Sequence, residues 1–263
     1  MIPARKRWGQ HFLASGATAE RIVAAARLSP GDAVLEIGPG DGALTRPLVA
    51  GGVRLLAIEI DPKRQEALAG ELAGTPGVVI LRGDVLDKPF AEWLADANLP
   101  APAVLVANLP YNVATPILSR ALEEPGAISR IVATVQKEVA QRFVARPGSD
   151  AYGYLSVRTA AFSEGRILFD IPPGAFRPRP KVVSSVLELT PRPSGLAPAL
   201  RQRALELASR GFRSRRKTLP NALSALAPRE AWEQALAAIG RGPKVRAEEL
   251  SFGDYVSLAA SMR

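Results

Sequence analysis

The chain has 263 residues, 47% of them hydrophobic and 22% charged, with no cysteine, a single histidine and a formal net charge of +9 at pH 7. Without Cys there is neither a disulfide framework nor a thiolate metal site, and one His among scattered carboxylates argues against a zinc or two-metal centre. No run of about 18 apolar residues occurs, and the charges of Met1-Ile2-Pro3-Ala4-Arg5-Lys6-Arg7-Trp8 are not followed by a hydrophobic stretch, so the expectation is a cytoplasmic protein with no membrane span and no secretory signal.

A helix is expected over residues 14–30, ending near Ser29-Pro30-Gly31. The apolar run Ala33-Val34-Leu35-Glu36-Ile37 then reads as a strand that enters Gly38-Pro39-Gly40-Asp41-Gly42, and Ala43-Leu44-Thr45-Arg46-Pro47-Leu48 opens a helix. Glycines at such a place let backbone approach a ligand at a helix N-terminus. A second strand over 54–58 ends at Glu59 and Asp61. Glu59 lies 21 positions after Gly38, close to the interval at which an acidic residue takes a ribose diol; the alternative is a carboxylate favouring a helix start. A third run over 78–83 ends in Asp84, which either accepts from an adenine amino group or caps a helix.

The fourth strand, 103–107, ends in Asn108-Leu109-Pro110-Tyr111-Asn112. Open α/β sheets bind ligands at the carboxyl ends of their strands. Asn108 offers a carbonyl acceptor, the backbone carbonyl before Pro110 is held by restricted dihedrals, and the Tyr111 ring is available for stacking. That set suits a planar base with an exocyclic amino group, although a plain strand-to-helix turn would also use Pro in its first turn. The glycine spacing is GxGxG and not GxGxxG, so a nicotinamide dinucleotide fits poorly. A nucleoside with a short charged tail, such as S-adenosylmethionine, fits better.

Residues 128–135 read as a fifth strand, a helix begins over 138–143, and strands over 165–171 and 182–189 bring the sheet to seven. Pro191-Arg192-Pro193-Ser194-Gly195 is the clearest linker, and only helical patterns follow, over 198–211, 218–226, 228–239 and 252–262. The expectation is an α/β domain over 1–193 and a small all-helical domain over 194–263. Residues 1–13 carry a net +3 and residues 196–263 a net +6, while 14–195 sum to zero. Charge confined to the chain ends points to phosphate binding more than to solubility. Arg210, Arg213, Arg215, Arg216 and Lys217 are the densest group, with a solvated helix face as the alternative.

These motifs together resemble the small-subunit (16S) ribosomal RNA adenine dimethyltransferases, which modify two adjacent adenosines in the 3′-terminal hairpin. The resemblance runs from Arg5-Lys6-Arg7-Trp8-Gly9-Gln10-His11-Phe12-Leu13 through Leu35-Glu36-Ile37-Gly38-Pro39-Gly40 and Asn108-Leu109-Pro110-Tyr111-Asn112. It continues to Phe176-Arg177-Pro178-Arg179-Pro180-Lys181-Val182 and Phe212-Arg213-Ser214-Arg215-Arg216-Lys217-Thr218-Leu219. His11 stands where many members carry Asn, and Trp8 where Phe is usual.

The resemblance implies a Rossmann-like class I methyltransferase sheet, with S-adenosylmethionine as cofactor, no metal, and the small ribosomal subunit as partner of a monomer. Asn108, Leu109, Pro110, Tyr111 and Phe176 would form the catalytic group. His11, Leu13, Gly38, Glu59, Asp84 and Asn108 would hold the cofactor, with 1–13 as a basic lid. Arg5, Lys6, Arg7, Lys181, Arg213, Arg215, Arg216 and Lys217 would grip RNA. Phe176 is alternatively a core residue beneath the Pro-rich loop, and Lys181 a solvated one. Two other functions share these motifs: adenine methylation of large-subunit RNA of the antibiotic-resistance type, and a ribosome-assembly checkpoint in which methylation is secondary.

Overall fold

The computed structural model describes residues 11–192, 195–214 and 216–262. Arg5, Lys6, Arg7, Trp8 and Arg215, singled out above, lie outside the described residues. Among the described residues no helix is long and apolar enough to cross a membrane.

Two compact units are present, one taking in the chain up to Ala140 with Gly165–Pro191, the other Gln141–Glu164 with the chain from Arg192 onward. The first is built on seven strands: β2 (Ala33–Ile37), β3 (Arg54–Glu59), β4 (Val78–Arg82), β5 (Ala103–Asn108), β6 (Ile128–Gln136), β7 (Ser163–Ile171) and β9 (Ser184–Pro191). Their order across the sheet is β4-β3-β2-β5-β6-β9-β7. β2 to β6 are parallel, with Leu35 facing Leu56 and Leu105 and Leu105 facing Ile131, while β9 runs antiparallel to β6. Strands buried on both faces carry unbroken apolar runs, which is why 33–37, 54–58 and 103–107 do not alternate. Strand order reverses between β2 and β5, so the crevice at their carboxyl ends is the switch point where such sheets bind ligands.

The helices between the strands are set by local chemistry. α1 (Gly16–Ala25) starts at Ser15, whose hydroxyl accepts from the Thr18 amide. It stops well short of the expected residue 30 because Arg27 takes a left-handed φ of 49°, outside helical backbone. α2 (Thr45–Ala50) follows the glycine turn. α3 (Pro62–Glu71) is capped by Asp61 with Pro62 in its first turn. α4 (Phe90–Asp96), α5 (Ala114–Glu123) and α6 (Lys137–Val144) complete the series. A separate ribbon pairs β1 (Phe12–Leu13) antiparallel with β8 (Phe176–Arg177).

The second unit differs in extent from the expected 194–263, because α7 (Tyr154–Phe162), absent from the sequence reading, belongs to it. Val157 and Ala161 of α7 share a core with Leu205 and Ala208 of α8 (Pro198–Arg213), Leu236 of α10 (Arg229–Ala238) and Leu258 of α11 (Phe252–Ser261). The short α9 (Leu219–Ala222) packs against α8, where Gly211 leaves room for Leu219 and Ala247. Buried polar tips are satisfied: the Tyr152 hydroxyl donates to Leu250 O at 2.7 Å and Trp232 Nε1 to Leu223 O at 3.1 Å.

Candidate functional site

A cleft opens at the switch point, where open α/β sheets bind small molecules. Gly38, Glu59, Asp84, Asn108, Leu109, Pro110 and His11 all line it, so the ends of four strands and the N-terminal segment converge as expected. Its apolar wall comes from Ile37, Ile58, Ile60, Val85 and Ile117.

Glu59, at the end of β3, is only 1% exposed. Its Oε2 accepts from the Gly40 amide and its Oε1 from the Asp61 amide, both at 2.9 Å. Burial pushes its carboxyl above the ordinary range, and these backbone amides pull it back. Each carboxylate oxygen keeps a further lone pair, which is what a vicinal diol needs as acceptor. The amides also fix the turn: Gly38, Gly40 and Gly42 all adopt positive φ, and a Cβ at Gly40 would fall 2.7 Å from the Phe12 ring. Asp84 at the end of β4 uses Oδ1 to accept from the Leu86 amide at 2.9 Å, so it closes a turn while lining the cleft. The residues on either side of it are pinned by Trp93, whose indole donates to Val85 O at 3.2 Å and would lie 2.4 Å from a Cβ at Gly83.

Asn108 Nδ2 donates to the His11 carbonyl at 2.8 Å. A carbonyl only accepts, so this bond fixes the amide orientation and leaves Oδ1 as the acceptor. The Leu109 amide donates to Thr134 O at 3.2 Å, continuing the ladder, and among the described residues nothing donates to its carbonyl. The His11 ring lies 5.1 Å from the Tyr111 ring at 29°, and its Nδ1 donates to Pro178 O at 2.7 Å. The Tyr111 hydroxyl is 2.6 Å from Ser184 Oγ, and burial raises its pKa. Tyr111 therefore stands beside the cleft, attached to it through His11.

Two expected site residues lie elsewhere. Phe176 is fully buried because the pairing of β8 with β1 turns its ring into the core with Val132 and Val186, so in this structure it offers no face to a base. Leu13 is also buried and borders a smaller recess with Pro39 and Leu44. Lys181 is exposed on the loop before β9, and Arg213, Arg216 and Lys217 are exposed at and beyond the end of α8. Among the described residues none of these four is ion-paired, whereas Arg210 is taken by Glu206.

Several residues were missed. Phe12 lines the cleft, and Arg64 is buried behind the glycine turn; a basic side chain one turn before Leu68 on the inward stripe of α3 was its available signal. Glu36 of β2 is 1% exposed. Burial pushes its carboxyl up to about 8, with the Thr45 hydroxyl opposing and the Glu59 charge adding to the shift. Among the described residues no cluster of acidic or imidazole groups is arranged to hold a metal.

Residues 1–263 match the family Ribosomal RNA adenine dimethylase. The ribosomal RNA small subunit methyltransferase A of Synechococcus sp. (strain JA-3-3Ab) is 44% identical, over 97% of this chain and 91% of that protein. The protein of the same name from Xanthomonas campestris pv. campestris (strain 8004) is 43% identical, over 98% and 95%. Among solved structures, the 23S rRNA methyltransferase ErmE superposes with a TM-score of 0.74 at 27% identity, covering 95% of this chain and 99% of that one. A dimethyladenosine transferase from Plasmodium falciparum gives 0.79 at 23% identity, covering 94% and 96%, a likeness of fold.

Proposed function

The chain belongs to the ribosomal RNA adenine dimethylase family, and from that premise we propose that its cleft binds S-adenosylmethionine and methylates the N6 amino groups of two adjacent adenosines in the 3′-terminal hairpin of small-subunit ribosomal RNA, as a cytoplasmic monomer. The observation that carries the chemistry is the Asn108 amide, oriented by the His11 carbonyl so that Oδ1 remains an acceptor next to the Leu109 carbonyl.

The cleft fits the cofactor. Glu59 presents a carboxylate held by two amides for the ribose diol, Asp84 an acceptor for the adenine amino group, and Ile60 and Val85 an apolar wall for the ring. When bound, S-adenosylmethionine supplies a methyl group already activated by its sulfonium. The protein's task is then to make a poor nucleophile competent. The lone pair of an adenine amino group is delocalised into the ring. With Asn108 Oδ1 and Leu109 O accepting the two N–H bonds of the unmethylated amino group, the nitrogen would pyramidalise and regain nucleophilic character, held in line for displacement; in the second transfer the one remaining N–H would be accepted by either oxygen. The nitrogen would gain the methyl as the sulfur–methyl bond breaks and the sulfonium leaves as a neutral thioether, and the surplus proton on nitrogen would pass to solvent, so no protein base is needed. Tyr111 offers a stacking surface for the extruded target base, worth about 1–3 kcal/mol.

Lys181, Arg213, Arg216 and Lys217, exposed and without ion pairs among the described residues, would supply cations for phosphates. The 41–44% identity to small-subunit enzymes, against 27% to the 23S enzyme, favours the small subunit. The test is transfer from labelled S-adenosylmethionine to unmethylated small subunits, large subunits and naked RNA. Label is expected in small subunits; preferential labelling of large subunits would overturn the choice of substrate.

A further inference from the structure

Arg64 is a cation buried where an apolar side chain would pack. It and Leu68, one turn apart, are the buried residues of α3, and Arg64 is 1% exposed. Its guanidinium carbon lies 4.0 Å from the centroid of the Phe12 ring, and Nη1 donates to the Asp41 carboxylate in the glycine turn. Phe12 also meets Gly40, where a Cβ would fall 2.7 Å from its ring. Phe12 lines the cleft itself, whereas Arg64 borders only a recess behind it with Gly40 and Asp41. The strand that carries Phe12 is two residues long, too short to fix a ring by its ladder alone. Two short segments, the glycine turn and β1, are therefore joined by one guanidinium. Taking the guanidinium out of water carries a desolvation penalty that an apolar side chain at this position would avoid.

We propose that Arg64 is a positioning residue for S-adenosylmethionine, acting through Phe12 and Asp41 to hold the ring and the turn at the spacing that forms the cofactor wall. It does not touch the cofactor. The inference rests on the cleft's being the S-adenosylmethionine site, and the experiment separates the two.

Arg64→Met, Arg64→Lys, Phe12→Leu and the double variant F12L/R64M are made in the full chain. S-adenosylmethionine is titrated calorimetrically, KM and kcat are measured on small subunits, and unfolding is followed without ligand. Asp41 is 44% exposed, so removing its partner leaves no carboxylate buried. Arg64→Met is expected to raise Kd and KM for S-adenosylmethionine about tenfold, the scale of a desolvated cation–π interaction. Its kcat at saturating cofactor should remain within about twofold. The double variant should lose no more than the worse single variant, since both cut the same link.

Arg64→Lys keeps the charge without the fork and should fall between wild type and Arg64→Met. An unchanged Kd in folded Arg64→Met, additive losses in the double variant, or a fall in kcat at constant KM would each overturn the proposal. If Arg64→Met does not fold, Arg64→Lys decides: a raised Kd supports the proposal and an unchanged one overturns it. Wild-type protein that fails to bind S-adenosylmethionine removes the cleft assignment and this inference with it, whereas wild-type binding with an unaltered Arg64→Met removes this inference alone.

Discussion

In the cleft three polar side chains are held by backbone: Glu59 by the Gly40 and Asp61 amides, Asp84 by the Leu86 amide, Asn108 by the His11 carbonyl. At the end of α8, Arg213, Arg216 and Lys217 are exposed and, among the described residues, without ion pairs. The difference fits the ligands proposed for the two regions. A methyl transfer needs atoms fixed to a fraction of an ångström, which strand ends and their amides supply. Phosphates need charge within reach, and a long flexible cation released from its counterions supplies that without fixed geometry. Damage to the two regions should therefore show in different measurements.

The sharpest break in the cleft is Asn108→Ala, expected to lower methyl transfer by at least about a hundredfold, the scale of losing one positioned polar group. Calorimetry should find S-adenosylmethionine affinity changed only a few-fold, and near-wild-type turnover would remove the amide from the mechanism. Glu59→Ala follows, weakening S-adenosylmethionine by about tenfold or more as the diol loses a charged acceptor, with binding to small subunits unaltered. Equal cofactor affinity in this variant would place the ribose elsewhere. On the other side, replacing Arg213, Arg216 and Lys217 together with Gln should weaken subunit binding and flatten its log–log salt slope by about 0.7–0.9 for each phosphate no longer neutralised. Cofactor affinity should stay put; an unchanged slope would make the cluster an ordinary solvated face.

The smallest effect concerns stability. The Glu36 carboxyl is held at about 8 in the folded protein against an ordinary 4.5, so the folded state binds the extra proton. Its contribution to stability is complete below the unfolded value and is lost as pH rises through the folded one, with a slope of at most about 1.4 kcal/mol per pH unit. Glu36→Gln should flatten that fall in denaturant unfolding between pH 5 and pH 8. An identical slope in the variant would show that Glu36 is ionised throughout.

The local features of the molecule were legible from residue order. The first four strands of the sheet, β2 to β5, are apolar runs that end at or next to Gly, Glu, Asp or Asn, whereas β7 carries Glu164, Arg166 and Asp170 among its residues; the place of Glu59 at the cleft followed from its distance to Gly38. The features that depend on remote partners were not. Phe176 turns inward because β8 pairs with β1, more than 160 residues earlier in the chain, and no local pattern announces that pairing. α7 has Gly153 as its N-cap, with no side chain to accept from its first amides, and its apolar residues find their partners on α8, α10 and α11. Arg64 reads as a surface cation until the neighbouring turn and Phe12 close over it. Charge location, by contrast, needs no fold to be read, which is why the basic C-terminal cluster was visible at once.

The proposed function rests on a single kind of chemical event, the transfer of methyl groups to an adenine N6 that we propose is held at Asn108 and Leu109. Its most direct test is single-turnover transfer to unmethylated small subunits by wild-type protein and Asn108→Ala, each loaded with labelled S-adenosylmethionine, followed by digestion of the RNA to nucleosides. The predicted result is label in N6,N6-dimethyladenosine for the wild type and almost none for the variant, although both bind cofactor and subunit. Label at any other base position, or undiminished dimethyladenosine from Asn108→Ala, would contradict it.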